Sequence, residues 1–349
     1  MHRPPLLLLM LAGALTISGC ATATSQSFRP ARWCAGRHLQ TICGGARPAP
    51  RAPIQRTRWE LPDGDFLDID EMTGNPAAPL LIVLHGLESS SNAGNVRGLL
   101  NLAHQKHWGG LAINFRSCGG ELNRLSRSYH GGDTADLAWV IDQVTARDPA
   151  RPIVLVGLSL GGNVLLKYLG ERGERLPEQI LAAVAISTPF DLAISAHTLE
   201  QGFNKIYMAR MVRSLKHKTR AKLEQFPNLV DRDALLAVKT MVEFDDLVTA
   251  PLHAFANAQA YWTASSSAQF LPTIKRPTLL INAQDDPLLP AEHLPRPEQI
   301  NNPFLTMEFP SSGGHLGFIS GGWPWRPTSW AEHRAIEFLS EHTRGRSDS

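Results

Sequence analysis

The chain has 349 residues, enough for one large α/β domain or two smaller ones. Hydrophobic residues make up 43% and charged residues 19%, an ordinary globular balance able to bury a core. The formal net charge of +2 is too small to argue for nucleic acid or acidic partners, and no long block of like charge appears.

At the N-terminus, Arg3 precedes an apolar run from Leu6 to Ile17, followed by Ser18, Gly19 and Cys20. A basic start, a short apolar stretch and small residues describe a secretory signal over residues 1–19. The run is too short to span a bilayer comfortably as a mature helix. Ile17-Ser18-Gly19-Cys20 also looks like a bacterial lipobox, in which Cys20 is acylated and becomes the first mature residue. An uncleaved anchor or a wrong start codon are the alternatives. The lipobox implies a membrane partner through a lipid anchor at Cys20, in the bacterial cell envelope and facing the periplasm. Ala21 follows the Cys where an Asp would signal the inner membrane, so the outer membrane is favoured; a cytoplasmic location is the alternative.

Residues 20–55 are rich in Ala, Thr, Arg and Pro and read as a tether with an irregular lead-in. Within them Cys34 and Cys43 either pair, if the chain is exported, or stay free. No cysteine–histidine cluster suggests a metal, and no cofactor is implied. His104 and His107 read as surface or packing residues.

From Arg58 two alternating segments flank Pro62-Asp63-Gly64, a hairpin at a sheet edge. Apolar strands at Leu80–Leu84, Leu111–Phe115, Ile153–Val156 and Ile180–Ile186 then alternate with helical patterns over Val96–His104, Asp133–Val144 and Leu160–Leu169. Continuous apolar strands alternating with helices imply a parallel sheet buried on both faces. From about 189 to 271 the alternation stops and helices dominate, which reads as a cap inserted after the sixth strand. Strands return at Thr278–Ile281 and Phe304–Phe309, a helix closes at Ser329–Leu339, and 343–349 is a tail.

The strongest single motif is the strand Ile153–Val156 running into Gly157-Leu158-Ser159-Leu160-Gly161 and then a helix. This strand, G-x-S-x-G, helix arrangement is a nucleophile elbow: Gly157 and Gly161 lack side chains where strand and helix approach, and the turn lifts the Ser159 hydroxyl above the sheet. The N–H of Leu160 opens the helix and suits a developing oxyanion. A serine hydroxyl needs a general base held by a carboxylate. The order Ser, Asp, His places the acid at Asp285-Asp286 after a strand. Related loops put that Asp four residues before a Pro, selecting Asp286 with Pro290 and leaving Asp285 a supporting group. The base is His315 in a glycine-flanked loop; His85 comes too early in the chain, and His130 reads as a loop or substrate-edge residue. A second oxyanion donor falls at Leu87 in His85-Gly86-Leu87-Glu88. In the cap, Phe203, Tyr207, Phe255, Tyr261 and Trp262 read as acyl-site or core residues, and Trp323-Pro324-Trp325 as a loop that touches lipid or packs.

The sequence resembles the YheT-like branch of the AB hydrolase superfamily. The resemblance rests on Arg37-His38-Leu39-Gln40-Thr41-Ile42, His85-Gly86-Leu87-Glu88-Ser89-Ser90-Ser91-Asn92, Asn114-Phe115-Arg116-Ser117-Cys118-Gly119-Gly120-Glu121 and Asn123-Arg124-Leu125-Ser126-Arg127-Ser128-Tyr129-His130. Segments 157–163, 246–251, 282–287 and 313–318 match as well, so it covers roughly residues 35–342. It implies an α/β-hydrolase fold over 56–342, with a mostly parallel eight-stranded sheet, flanking helices and a helical cap. It implies a triad of Ser159, Asp286 and His315 and hydrolysis of carboxylic esters, of short acyl chains or monoacylglycerols. Typical members have no lipobox, and they carry Gly where Ala254 stands here, which alters a cap loop. Acyl transfer to another alcohol on the same triad, or a non-catalytic envelope lipoprotein, are the competing readings.

Overall fold

The structure is a computed structural model and describes residues 27–48 and 50–344. The signal segment and Cys20 lie outside the described residues. β1 (Gln55–Glu60) and β2 (Phe66–Met72) form the antiparallel hairpin around Pro62-Asp63-Gly64, with Trp59 opposite Leu67. β2 pairs antiparallel with β4 (Gly109–Ile113). β3 (Leu80–Leu84), β5 (Ile153–Leu158), β6 (Ile180–Ile186), β7 (Thr278–Ile281) and β8 (Leu305–Glu308) join β4 in parallel. The sheet order is β1-β2-β4-β3-β5-β6-β7-β8, the mostly parallel eight-stranded sheet that the resemblance implies.

The helices are, in chain order, α1 (Arg37–Ala46), α2 (Gly94–Gln105), α3 (Ala135–Arg147), α4 (Leu160–Arg172), α5 (Leu192–Leu199), α6 (Asn204–Leu223), α7 (Arg232–Ala237), α8 (Met241–Phe244), α9 (Ala250–Leu252), α10 (Ala258–Ser265), α11 (Pro297–Ile300) and α12 (Trp330–Thr343). Strand residues alternate between two cores. Leu80, Ile82, Leu84, Ile153 and Leu155 face α3, α4 and the cap, whereas Leu81, Val83, Val154 and Val156 face α2 and α12. Because both faces are covered, every residue of β3, β4 and β5 is buried, and the strands read as unbroken apolar runs.

Between β6 and β7 the chain forms α5 to α10. α8 runs through one π turn (Asp245–Thr249) into α9, a local widening often found near functional sites. Ala254 takes φ +60°, the left-handed region that costs an L-residue about 1 kcal/mol.

The irregular lead-in expected over residues 20–55 is instead folded from Phe28 onward. Phe28 packs edge-on against Phe318, and the Ala31 N–H donates to the Ile319 carbonyl. The buried Gln40 amide donates to the Cys34 and Ile319 carbonyls and accepts the Ile319 N–H. A Cβ on Gly44 would sit 2.6 Å from the Leu316 carbonyl oxygen, so α1 lies directly on loop 313–318. No side-chain cap closes α1 and Gly36 precedes it, so its stability comes from these tertiary partners and no start signal marks it. Cys34, Cys43 and Cys118 stand as free thiols in this structure, with Cys34 beside Cys43; burial pushes the Cys34 thiol up to about 12.

Candidate active site

The site is built on the end of β5. Ser159 follows Leu158 with φ +52° and ψ −120° and immediately precedes α4. An L-residue is strained there, and the surrounding packing holds it. A Cβ on Gly157 would approach the Gly161 carbonyl oxygen to 2.5 Å, and one on Gly161 would meet the His85 carbonyl oxygen at 2.5 Å. Only glycine lets the strand, the helix and the neighbouring loop come this close. The Ser159 N–H donates to Ile186 O on β6, which fixes the turn to the sheet.

The chain brings three of the expected groups into one row. His315 Nε2 lies 2.9 Å from Ser159 Oγ, and His315 Nδ1 lies 2.8 Å from Asp286 Oδ2. With Nδ1–H donating to the carboxylate, Nε2 is the acceptor for the serine hydroxyl. The Asp286 side chain is fully buried, and its second oxygen accepts the Leu288 N–H. Asp285 faces away and accepts the Gly314 N–H at 2.9 Å, holding the histidine loop; burial pushes its carboxyl up. The His315 N–H donates to Thr41 Oγ1 and the Leu316 N–H to Ser187 Oγ. Thr41, on α1, is a support that the reading of the lead-in missed.

Leu160 opens α4, where first-turn N–H groups have no intrahelical acceptor. The loop with Leu87 lies against the serine: a Cβ on Gly86 would be 3.1 Å from Ser159 Cβ. His85 serves that loop. Its ring bonds the Gly86 carbonyl through Nδ1 and accepts the Phe115 N–H at Nε2, and burial lowers it to about 4, so it stays neutral.

Glu88 carries the loop's other constraint and was not singled out by the sequence. It takes φ +52°, and its N–H donates to Tyr129 Oη. Its buried carboxylate accepts the Tyr129 hydroxyl at 3.0 Å, the Ser214 hydroxyl, and Lys218 Nζ at 2.9 Å. Ser214 and Lys218 belong to α6, so the cap is tied directly to the loop beside the serine.

A cavity of about 140 Å³ opens beside Ser159 and His315 under the cap. Its wall is largely aliphatic and aromatic, from Leu160, Leu192, Leu215, Phe244, Val248 and Leu252. Of the five cap aromatics, Tyr261 and Trp262 line it; Phe255 packs on His130, Tyr207 bonds His38, and Phe203 is exposed. Polar groups line the cavity too, among them His130, Asp245 and His253. The rings of His130 and His253 lie 4.4 Å apart, tilted by 55°, and burial lowers them to about 3 and about 4. Asp245, on the π turn, bonds Thr249 and Trp262, and burial raises it to about 6. His130 Nδ1 accepts the Gly132 N–H, which makes it a loop residue that also faces the cavity.

A family model described as alpha/beta hydrolase fold matches residues 79–322. The chain is 36% identical to YheT of Escherichia coli, a protein named as an esterase, over 93% of this chain and 96% of that one. It is 30% identical to the monoacylglycerol lipase of Saccharomyces cerevisiae over 76% of this chain and 59% of the yeast protein. The Pyrococcus furiosus esterase Pf2001 superposes with a TM-score of 0.55 at 18% identity, covering 85% of this chain and 98% of that one, a likeness of fold. The chain thus belongs to the alpha/beta hydrolase fold family, in its YheT-like branch, and is a carboxylic ester hydrolase.

Proposed function

We propose that the chain cleaves carboxylic esters of lipophilic acyl groups, short-chain or monoacylglycerol-like, through an acyl-enzyme at Ser159. The observation that carries this reading is the hydrogen-bonded row from Ser159 Oγ through His315 to the buried Asp286 carboxylate, at the mouth of an apolar cavity. In the proposed cycle His315 Nε2 takes the serine proton as Oγ attacks the ester carbonyl. Asp286 holds the imidazole in the Nδ1–H tautomer and stabilises the imidazolium. The N–H groups of Leu160 and Leu87 receive the developing oxyanion. His315 then gives its proton to the leaving alcohol, and a water repeats the sequence on the acyl-enzyme, releasing the acid and restoring the serine. The aliphatic wall suits an acyl chain, and no step calls for a cofactor.

The test is a series of p-nitrophenyl esters of increasing chain length, read on wild type and Ser159→Ala, with a fluorophosphonate probe on both. Hydrolysis and labelling by wild type, with both lost in the variant, is the expected result. A chain that neither labels nor hydrolyses overturns the reading in favour of a binding module. The lipobox reading is a separate proposal: metabolic labelling with radioactive palmitate is expected in wild type and absent in Cys20→Ala.

A further inference from the structure

Eight large apolar side chains stand exposed among the described residues, and six of them belong to α1, the start of α6 and one hairpin. Leu39 and Ile42 lie three apart on α1, hence on one face. Phe203 and Ile206 stand at the start of α6, and His38 of α1 joins them, 4.4 Å from the Phe203 ring and hydrogen-bonded to Tyr207. Trp323 and Trp325, 65% and 68% exposed, stack at 5.3 Å in the hairpin between β9 (Ile319–Gly321) and β10 (Thr328–Ser329). Trp33, just before α1, donates to the Gly322 carbonyl and joins that hairpin to the helix.

The charge around these residues is one-sided. The start of α6 carries Lys205 and Arg210 and no Asp or Glu, whereas Lys218 farther along pairs with Glu88 and Lys222 is buried. Residues 27–59 hold no acidic residue, nor do residues 319–331. Exposed Arg29, Arg32, Arg37, Lys205, Arg210 and Arg326 therefore accompany the apolar side chains, although the whole chain is only +2. Asp285 and Glu292 share the adjoining groove with Arg37 and Phe203, and Asp285 is tied to the Gly314 N–H. The same face receives the chain from its N-terminal segment. Residue 27 leads into Phe28 and Ala31, which pack on Phe318 and pair with Ile319 at the base of the Trp hairpin. Tryptophan and aliphatic side chains ringed by arginine and lysine are what an interfacial surface presents to anionic lipid.

We propose that the face formed by α1, the start of α6 and the Trp323–Trp325 hairpin docks on an anionic lipid bilayer. The inference deepens the lipid-ester reading: α1 lies on the His315 loop, so docking sets the site against the membrane that supplies an acyl ester. The bilayer is preferred to a second copy of the chain because a like-charged basic face repels its own copy and attracts anionic headgroups.

The test uses the full chain with phosphatidylcholine vesicles, with and without phosphatidylglycerol, carrying brominated lipid. Wild-type tryptophan fluorescence is expected to be quenched most in anionic vesicles and less at high salt. Trp323→Ser/Trp325→Ser is expected to lose that quenching and to hydrolyse vesicle-borne monoacylglycerol at least about tenfold more slowly, with soluble p-nitrophenyl ester turnover unchanged. If that variant does not fold, Lys205→Glu/Arg210→Glu tests the same face, and a drop of about tenfold in anionic-vesicle binding is expected. Absence of wild-type quenching, full vesicle activity in the folded Trp variant, or chain dimers that these substitutions disperse would overturn the proposal. Loss of soluble-ester turnover in wild type would instead sink the hydrolase reading while leaving the quenching result legible.

Discussion

The nucleophile's turn and the loop that faces it are built by opposite routes. The turn is local: Ile153 to Gly162 supplies strand, glycines, serine and helix start in ten consecutive residues, and its strain is held by β5, β6 and α4. The loop from His85 to Glu88 is held from afar, by Phe115, Tyr129, Ser214 and Lys218, the last two on the cap. The difference teaches where substrate control resides. In the proposed mechanism the turn supplies the reacting oxygen, whereas the loop beside it is braced by α6.

Substitutions separate the two. The largest effect is expected on the row behind the serine. Asp286→Asn keeps the shape but no longer fixes the histidine tautomer, so kcat should fall about 10⁴-fold with the fold intact by circular dichroism. A drop of only a few-fold would mean that another group orients His315. Glu88→Gln should strike the loop and spare the turn. It leaves Lys218 without its buried counter-charge and loosens the Leu87 N–H, so kcat should fall about 10–100-fold with little change in KM. Fluorophosphonate should still label Ser159, and Lys218→Arg should retain most activity. Equal loss of labelling and turnover would merge the two regions into one.

The cap's histidines give a smaller, pH-dependent effect. His253 is held near 4 by burial against an ordinary 6.5. As pH falls through 6.5 the unfolded chain takes the proton first, so stability present above 6.5 is lost as pH drops toward 4. Asp245, raised to about 6, works in the opposite sense, gaining stability as pH falls below 6, but it is common to wild type and variant. Urea unfolding at pH 7 and pH 5 should therefore show His253→Phe sparing on the order of 2 kcal/mol of acid destabilisation. The smallest expected effect is at Ala254, whose φ of +60° favours glycine. Ala254→Gly should raise stability by about 1 kcal/mol, read as a shifted urea midpoint. No gain would mean that the loop relaxes at no cost.

Much of this architecture was legible in advance because its signals are short-ranged. Two-sided burial makes β3, β5 and β6 continuous apolar runs, and the elbow announces itself through glycine spacing. Adjacent Asp285 and Asp286 are harder to tell apart. A one-residue step along the loop sends one carboxylate to His315 and the other to a backbone N–H, and only the packed loop shows which. α1 was unreadable for a different reason: with glycine before it and no side-chain cap, no start signal marks a helix over Arg37–Ala46.

Residue pattern alone determined the layered sheet, the serine elbow at Ser159 and the run of helices between β6 and β7, because each follows from period, glycine and strand order within a few residues. Tertiary structure decided that α1 supports the histidine loop, that Glu88 links that side of the site to α6, and that the exposed apolar side chains gather on a basic face. Those contacts join residues 40 to 280 positions apart, and such distances close only when the hydrophobic layers pack.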